Sequence, residues 1–210
     1  AIGSKYKSIN CGNFGDYGIF SFNGNKVITS SGGGALISKT RDTKLEIIHL
    51  ATQAKDEAPH YEHSKVGYNY RLSNLLAAVG VAQLENLETR LLQLKNNHEF
   101  YSRLFKDSEF IKLHQNPSKD FESNHWLNCI SISEKAKFNA NTVINYLKKH
   151  HIESKPLWKP MHLQPIYSTY LYFGNNIESQ LFNTGLCLPS GSDLTLDNKQ
   201  VISEALKLFI

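Results

Sequence analysis

The sequence predicts an α/β protein in two parts, on three observations. In the first half, short apolar runs of strand length alternate with stretches of helical period. A largely apolar stripe of Leu76, Val79, Gln83, Leu87, Leu91 and Leu94, continued by Tyr101 and Phe105, then predicts one long helix from Ser73 onward. Beyond the polar stretch 114–124, which contains Pro117, a β-α-β order begins again.

Taken in order, residues 17–22 and 35–38 read as strands flanking a polar turn that carries Lys26 and is followed by Gly32, Gly33 and Gly34. Residues 40–53 suit a helix, with Leu45, Ile48 and Ala51 on one face and Ile47 and Leu50 beside it. Ala54 to Tyr70 has neither period and contains Pro59 and Gly67. It is expected to be a long ordered loop, and loops of that length are often functional. Ser73 can cap the long helix. The expected domain division gives residues 1–112 and 113–210, with 114–124 as connector. In the second part, His125–Ile132 reads as a strand, Asn139–His150 as a helix and Ile152–Pro156 as a short strand. The aromatic, proline-bearing loop Leu157–Tyr172 follows, then a helix over 175–184 that ends at Gly185, and a strand over Leu186–Pro189. Thr195 is placed to cap a last helix with Val201, Ile202, Ala205 and Leu206 inward.

Composition narrows the function classes. With 210 residues, 40% hydrophobic and 20% charged, the chain can bury real cores and has no bias toward disorder. The formal charge is only +4, and its densest basic pair, Lys148-Lys149, belongs to no basic stripe with interleaved aromatics, so a nucleic-acid partner is not expected. Cys11, Cys129 and Cys187 are far apart and share no CxxC spacing, so they suggest neither a disulfide framework nor a zinc site and read as reduced thiols. No apolar run reaches membrane-span length and no signal peptide is evident, so no membrane partner is expected and a cytoplasmic location is. Ala1-Ile2-Gly3-Ser4 reads as the middle of a longer chain.

Several segments could carry chemistry. Lys26 puts an amine at a strand end beside glycines whose backbone can approach an anion closely, though a solvated surface lysine has the same signature. Thr29–Gly34 could cradle a phosphate, but it lacks both GxxxxGK[ST] and GxGxxG, and a tight turn explains it equally. His60 and His63 have a metal-ligand spacing only if helical, and Pro59 and the neighbouring tyrosines argue against that. Polar substrate contact fits them better than a metal. Gly67–Asn74, with two tyrosines, an asparagine and an arginine at a helix start, is either an anion-facing surface or a capping segment with core aromatics. Pro156–Pro165 is either a rigid binding loop or a stiff connector.

These segments together resemble a family. Ser-Phe-Asn-Gly-Asn-Lys at 21–26, Thr-Ser-Ser-Gly-Gly-Gly at 29–34, Pro-His-Tyr-Glu-His at 59–63 and Gly-Tyr-Asn-Tyr-Arg-Leu-Ser-Asn at 67–74 are similar, in order and spacing, to the DegT/StrS nucleotide-sugar aminotransferases. Pro-Leu-Trp-Lys-Pro-Met-His-Leu-Gln-Pro at 156–165 and Gly-Leu-Cys-Leu-Pro-Ser-Gly at 185–191 are also similar, and resemble the branch acting on UDP-linked 4-keto-6-deoxy amino sugars.

The resemblance implies an aspartate-aminotransferase-like fold (PLP fold type I), here the C-terminal part of the large domain plus the small C-terminal α/β domain. It implies pyridoxal 5'-phosphate (PLP) as cofactor, glutamate as amino donor and UDP-4-keto-6-deoxy-N-acetylhexosamine as acceptor, giving a 4-amino sugar. Lys26 matches the lysine that carries PLP, Ser21 the serine that bonds its phosphate, and Asn69 the asparagine reaching that phosphate from the neighbouring subunit of a homodimer. His60, Tyr61, Arg71 and His162 fall where the family holds the sugar nucleotide. Family members are considerably longer, so the backbone phosphate anchors, the aromatic over the PLP ring and the aspartate at its nitrogen are expected before residue 1. Two other readings stand beside this one: a non-catalytic fragment that folds or dimerises without cofactor, and a PLP-dependent sugar dehydratase, whose relatives carry histidine where this chain has Lys26.

Overall fold

The computed structural model describes residues 1–210, grouped into two compact units: 1–91 with 118–124, and 92–117 with 125–210. In chain order the elements are β1 (Lys5–Tyr6), β2 (Ile9–Asn10), β3 (Tyr17–Ser21), β4 (Gly34–Ser38), α1 (Arg41–Ala51), α2 (Asn74–Glu85), α3 (Leu87–Leu104), β5 (Ile111–Leu113), β6 (Phe121–Glu122), β7 (Asn128–Ile132), α4 (Ala140–Lys149), β8 (Lys155–Pro156), α5 (Ile177–Thr184), β9 (Gly185–Leu188) and α6 (Leu196–Leu206). Short 3-10 turns lie at Met161–Leu163, Pro165–Tyr167 and Lys207–Phe209. No helix is long and apolar enough to cross a membrane.

The first unit holds two small antiparallel sheets, ordered β2-β1-β6 and β3-β4. The β1–β2 hairpin turns at Lys7 and Ser8, both at positive φ (47° and 65°), the geometry that matches the twist of the flanking strands. Its other neighbour, β6, lies in the stretch expected to be only a connector. Tyr6 pairs with Phe121, their rings 4.7 Å apart, and Lys5 pairs with Glu122. Thr40 caps α1 by accepting from the Thr43 amide, and Ser73 caps α2 by accepting from the Leu76 amide, as expected for Ser73. After α1 the chain reverses through Gln53 and Ala54, both at positive φ, and Ala54 is fully buried.

The single long helix expected from Ser73 to Phe105 is a correction: it is two helices that break at Asn86. Asn86 leaves helical geometry (φ −99°, ψ 7°) and its side-chain amide donates to the Ala82 carbonyl, while its own carbonyl accepts the Arg90 amide and so starts α3. The apolar period runs through the break because both helices carry it, so periodicity could not reveal the break. Neither α1 nor α2 has a buried residue, and Leu45 and Val79, expected inward, are exposed.

The second unit is built on an antiparallel sheet ordered β5-β7-β9-β8. Burial alternates along β7, with Ile130 and Ile132 on one face and Cys129 and Ser131 on the other. The first face joins Leu186 and Leu188 of β9, Val143 and Leu147 of α4, Ile202 and Leu206 of α6, and Tyr101 and Phe105 in one core. Tyr101 is fully buried, and its hydroxyl is satisfied by the Pro189 carbonyl at 2.8 Å. Asn139 caps α4, and Thr195 closes a reciprocal capping box with Asn198 on α6. The expected strand from His125 begins only at Asn128: His125 sits at positive φ (50°) and the chain bends through Trp126 and Leu127. The expected strand from Ile152 begins at Lys155. Val201, expected inward on α6, is 55% exposed.

Candidate active-site segment

The hairpin of β3 and β4 presents Lys26. Its ladder runs from Tyr17↔Ser38 to Ser21↔Gly34 and is extended by the Phe22 amide donating to the Gly33 carbonyl. At Gly34 a side chain would strike the Phe20 carbonyl oxygen, so only glycine lets the strands approach this closely. The loop between the strands is clasped at its base. The Phe22 carbonyl accepts both the Ser30 amide and the Thr29 hydroxyl at 3.0 Å, and Ser30 Oγ donates to the Gly32 carbonyl at 2.7 Å. Ile28 and Ser30 are buried, which anchors the loop on the Lys26 side. Lys26 closes a turn by donating its amide to the Asn23 carbonyl, and its side chain is half-buried. Ser21, the last residue of β3, is exposed, and its hydroxyl faces the Asn23 amide at 3.5 Å. An amine and a hydroxyl thus flank one rigid turn, with Thr29, Ser30 and Gly33 as its frame.

The segment leading into α2 is fastened along the end of α1. The Tyr68 amide donates to Leu50, the Tyr70 amide to Ala51, and the Gln53 amide to Tyr68. Asn69 forms an isolated bridge with Thr52, so its side chain and those of Tyr68 and Tyr70 leave the backbone on opposite sides. The two tyrosine rings stack at 5.1 Å and 10°, and both are exposed. Leu72, next to the exposed Arg71, packs onto Gly33, whose φ of +77° and lack of a side chain make room for it. The Lys26 hairpin and the Asn69–Arg71 segment therefore meet at Gly33 and Leu72.

The remaining expected residues have other immediate partners. His60 Nε2 lies 3.1 Å from Glu62, and the Tyr61 ring sits under Lys55 Nζ at 4.3 Å. His63 Nδ1 meets the Gln53 carbonyl at 3.0 Å, so the two histidines of the HxxH spacing face different groups. His162 is in the second unit. Its Nε2 lies 3.0 Å from Ser179 Oγ, its Nδ1 lies 3.6 Å from Glu178 Oε1, and its ring packs on Tyr172 at 4.0 Å. The Tyr172 hydroxyl donates to Glu178, which holds that carboxyl below the usual range and raises the phenol. Tyr172, Glu178 and Ser179 were not singled out from the sequence. Tyr172 closes the aromatic loop Leu157–Tyr172 and Glu178 and Ser179 lie on the helix expected after it, but no sequence spacing shows that the three meet at His162.

Residues 1–207 match the DegT/DnrJ/EryC1/StrS aminotransferase family. Over its whole length the chain is 38% identical to EpsN of Bacillus subtilis (strain 168), which carries a provisional name as a pyridoxal phosphate-dependent aminotransferase, and covers 54% of it. Over 96% of its length it is 33% identical to a GDP-perosamine synthase of Escherichia coli O157:H7, covering 53% of that protein. The fold of the whole chain superposes on Helicobacter pylori PseC, an aminotransferase involved in the biosynthesis of pseudoaminic acid, with a TM-score of 0.90 at 23% identity and 57% coverage of that chain. The chain thus spans about half the length of the relatives it matches.

Proposed function

This chain belongs to the DegT/DnrJ/EryC1/StrS aminotransferase family, and we propose that it is part of a PLP-dependent enzyme that transfers an amino group from glutamate to a nucleotide-linked ketosugar. The observation that carries the reading is the hairpin: Lys26 and Ser21 sit on one clasped turn, framed by a glycine position that excludes any side chain. That donor set suits the cofactor, with an amine for its aldehyde and a hydroxyl for its phosphate. When bound, PLP supplies an electron sink at the substrate carbon. Lys26 Nζ has two tasks, to hold the cofactor and then to carry a proton to and from that carbon. Ser21 Oγ would hold the cofactor phosphate, together with the Asn69 side-chain amide of a second copy in a homodimer.

We assign His60, Tyr61, Arg71 and His162 to the sugar nucleotide, with Arg71 suited to a phosphate oxygen by its planar pair of donors. The acceptor in this reading is UDP-4-keto-6-deoxy-N-acetylhexosamine, supported by the similarity of 156–165 and 185–191 to the UDP branch. A GDP-linked ketosugar is the competing acceptor, because a relative is named for GDP-perosamine. The exposed apolar residues all round α2, Leu75, Val79, Val81 and Leu84, fit burial of this helix against further polypeptide, as the homodimer reading requires.

The test uses the full-length enzyme. PLP should give a visible absorbance band that Lys26→Ala abolishes, and glutamate should support turnover of one member of a panel of UDP- and GDP-ketosugars. Full-length protein whose spectrum is unchanged by PLP would overturn the reading. Titrating PLP onto residues 1–210 alone then separates a cofactor-binding piece from a non-catalytic one.

A further inference from the structure

Cys129 and Cys187 are 58 residues apart in sequence yet directly opposite in the ladder of β7 and β9, with their sulfur atoms 3.6 Å apart and both thiols free. Directly paired residues of antiparallel strands have Cα atoms about 4.5–5.5 Å apart, inside the range a disulfide spans. Both side chains leave the sheet on the face opposite the core residues Ile130, Leu186 and Leu188, so rotation of the two thiols toward each other disturbs no core packing. On its other side Cys187 is paired with Lys155 of β8. Cys187 and Lys155 are among the residues that line a cleft of about 470 Å³, which His150, His151 and Glu153 also border, and Cys129 is the less buried of the two cysteines.

We propose that Cys129 and Cys187 form a dithiol site that is reversibly converted to a disulfide by small-molecule disulfides. Cys187 is the attacking sulfur. The Cys129 thiol donates to it and the Lys155 charge faces it, both of which favour its thiolate, whereas the same contact and burial push the Cys129 thiol up. Glu153, 2.9 Å from Lys155, offsets part of that positive charge. In the first step the Cys187 thiolate attacks one sulfur of the incoming disulfide, forming a mixed disulfide and expelling one thiolate. In the second, Cys129 gives up its proton and attacks the Cys187 sulfur, expelling the other. One disulfide is reduced to two thiols while the protein dithiol is oxidised, so protons and electrons balance without any other oxidant.

The experiment is incubation of the reduced, folded protein with oxidised glutathione, acid quenching and non-reducing peptide mapping. The expected result is a peptide joining Cys129 to Cys187, Cys11 still titratable, and full reversal by dithiothreitol. Cys129→Ser should trap one glutathione on Cys187 and form no cross-link. A cross-link that appears only after unfolding in urea, or modification confined to Cys11, would overturn the proposal, and both readings need only the wild-type protein.

Discussion

Glu178 contacts both members of the packed His162–Tyr172 pair: it accepts the Tyr172 hydroxyl and lies 3.6 Å from His162 Nδ1. This one carboxylate, in the first turn of α5, ties that helix to the aromatic loop before it.

The first expectation concerns this contact. A folded-state carboxyl held below its unfolded value adds stability above the unfolded pKa and loses it as pH falls through the folded one. Order in the His162 loop should therefore weaken in acid, below the ordinary carboxylate range, and Glu178→Gln should remove that dependence. Amide hydrogen exchange over residues 158–176 across a pH series reads it directly. If the proposed assignment of His162 to sugar-nucleotide binding holds, Tyr172→Phe in the full-length protein should raise KM for that substrate and leave kcat nearly unchanged.

His125 gives a second pH dependence, in the opposite structural setting. Burial, helped by the nearby charges of His98 and Lys95 and opposed by Glu99, pulls its pKa from 6.5 to about 4. Between those values the unfolded chain binds the extra proton and the folded chain does not, so stability should climb with pH across that window. Discounted for solvent screening, the gain is about 1 kcal/mol. Urea midpoints of wild type and His125→Gln from acid to neutral pH check it, with a flatter profile expected for the variant.

The Lys26 hairpin depends on Gly34. Gly34→Ala should cost more than about 1 kcal/mol, because the clash is with backbone that cannot rotate away. Gly24→Ala, in the same loop with nothing near the added carbon, should stay within about 0.5 kcal/mol of wild type. Chemical denaturation of both variants tests the contrast.

In the second unit, Leu147 is fully buried on α4 between the sheet and α6. Leu147→Ala should cost about 2–5 kcal/mol. Val201→Ala, on the exposed side of α6, should cost about 0.5 kcal/mol or less. The pair is read by thermal or urea unfolding.

Buried polar satisfaction makes a further prediction. Asn128 donates its amide N–H and its side-chain NH₂ to Ser190 Oγ, and accepts His98 Nδ1–H at 2.9 Å. Because the NH₂ is committed to Ser190, the oxygen is fixed toward His98. Asn128→Leu would strand His98 without that acceptor and should cost about 1–3 kcal/mol, more than its gain in apolar surface returns. Unfolding measurements on Asn128→Leu, on His98→Phe and on the double variant distinguish the stranded donor from a packing defect, the single His98→Phe variant accounting for the lost contact of His98 Nε2 with Gln115 at 2.8 Å.

Features that act over a few residues were legible in the sequence. Ser73 and Thr195 were recognisable as caps because a cap bonds an amide three residues on, and both bond as expected. The strands around Lys26, the irregular 54–70 segment and the β-α-β order of the second half followed from period and from Gly and Pro. The motifs in those segments also carried the family resemblance, because a motif is a local pattern. Asn86 marks where this ended: two helices that share one apolar period look like one, and only backbone angles show the break.

The sequence by itself determined α1, α4, α5, α6 and the strands β3, β4, β7, β8 and β9 to within a few residues, and that Lys26, Ser21 and Asn69 belong to recognisable motifs; it did not reveal β1, β2, β5, β6 or the division of α2 from α3. The tertiary structure alone decided which distant residues became neighbours. It placed Phe121 on Tyr6, Leu72 on Gly33, Glu178 beside His162 and Cys187 opposite Cys129. The physical reason is range. Capping and periodicity are paid within a turn or two, whereas strand register across 58 residues is fixed only when the whole core of Ile130, Leu147, Leu186 and Leu206 closes at once.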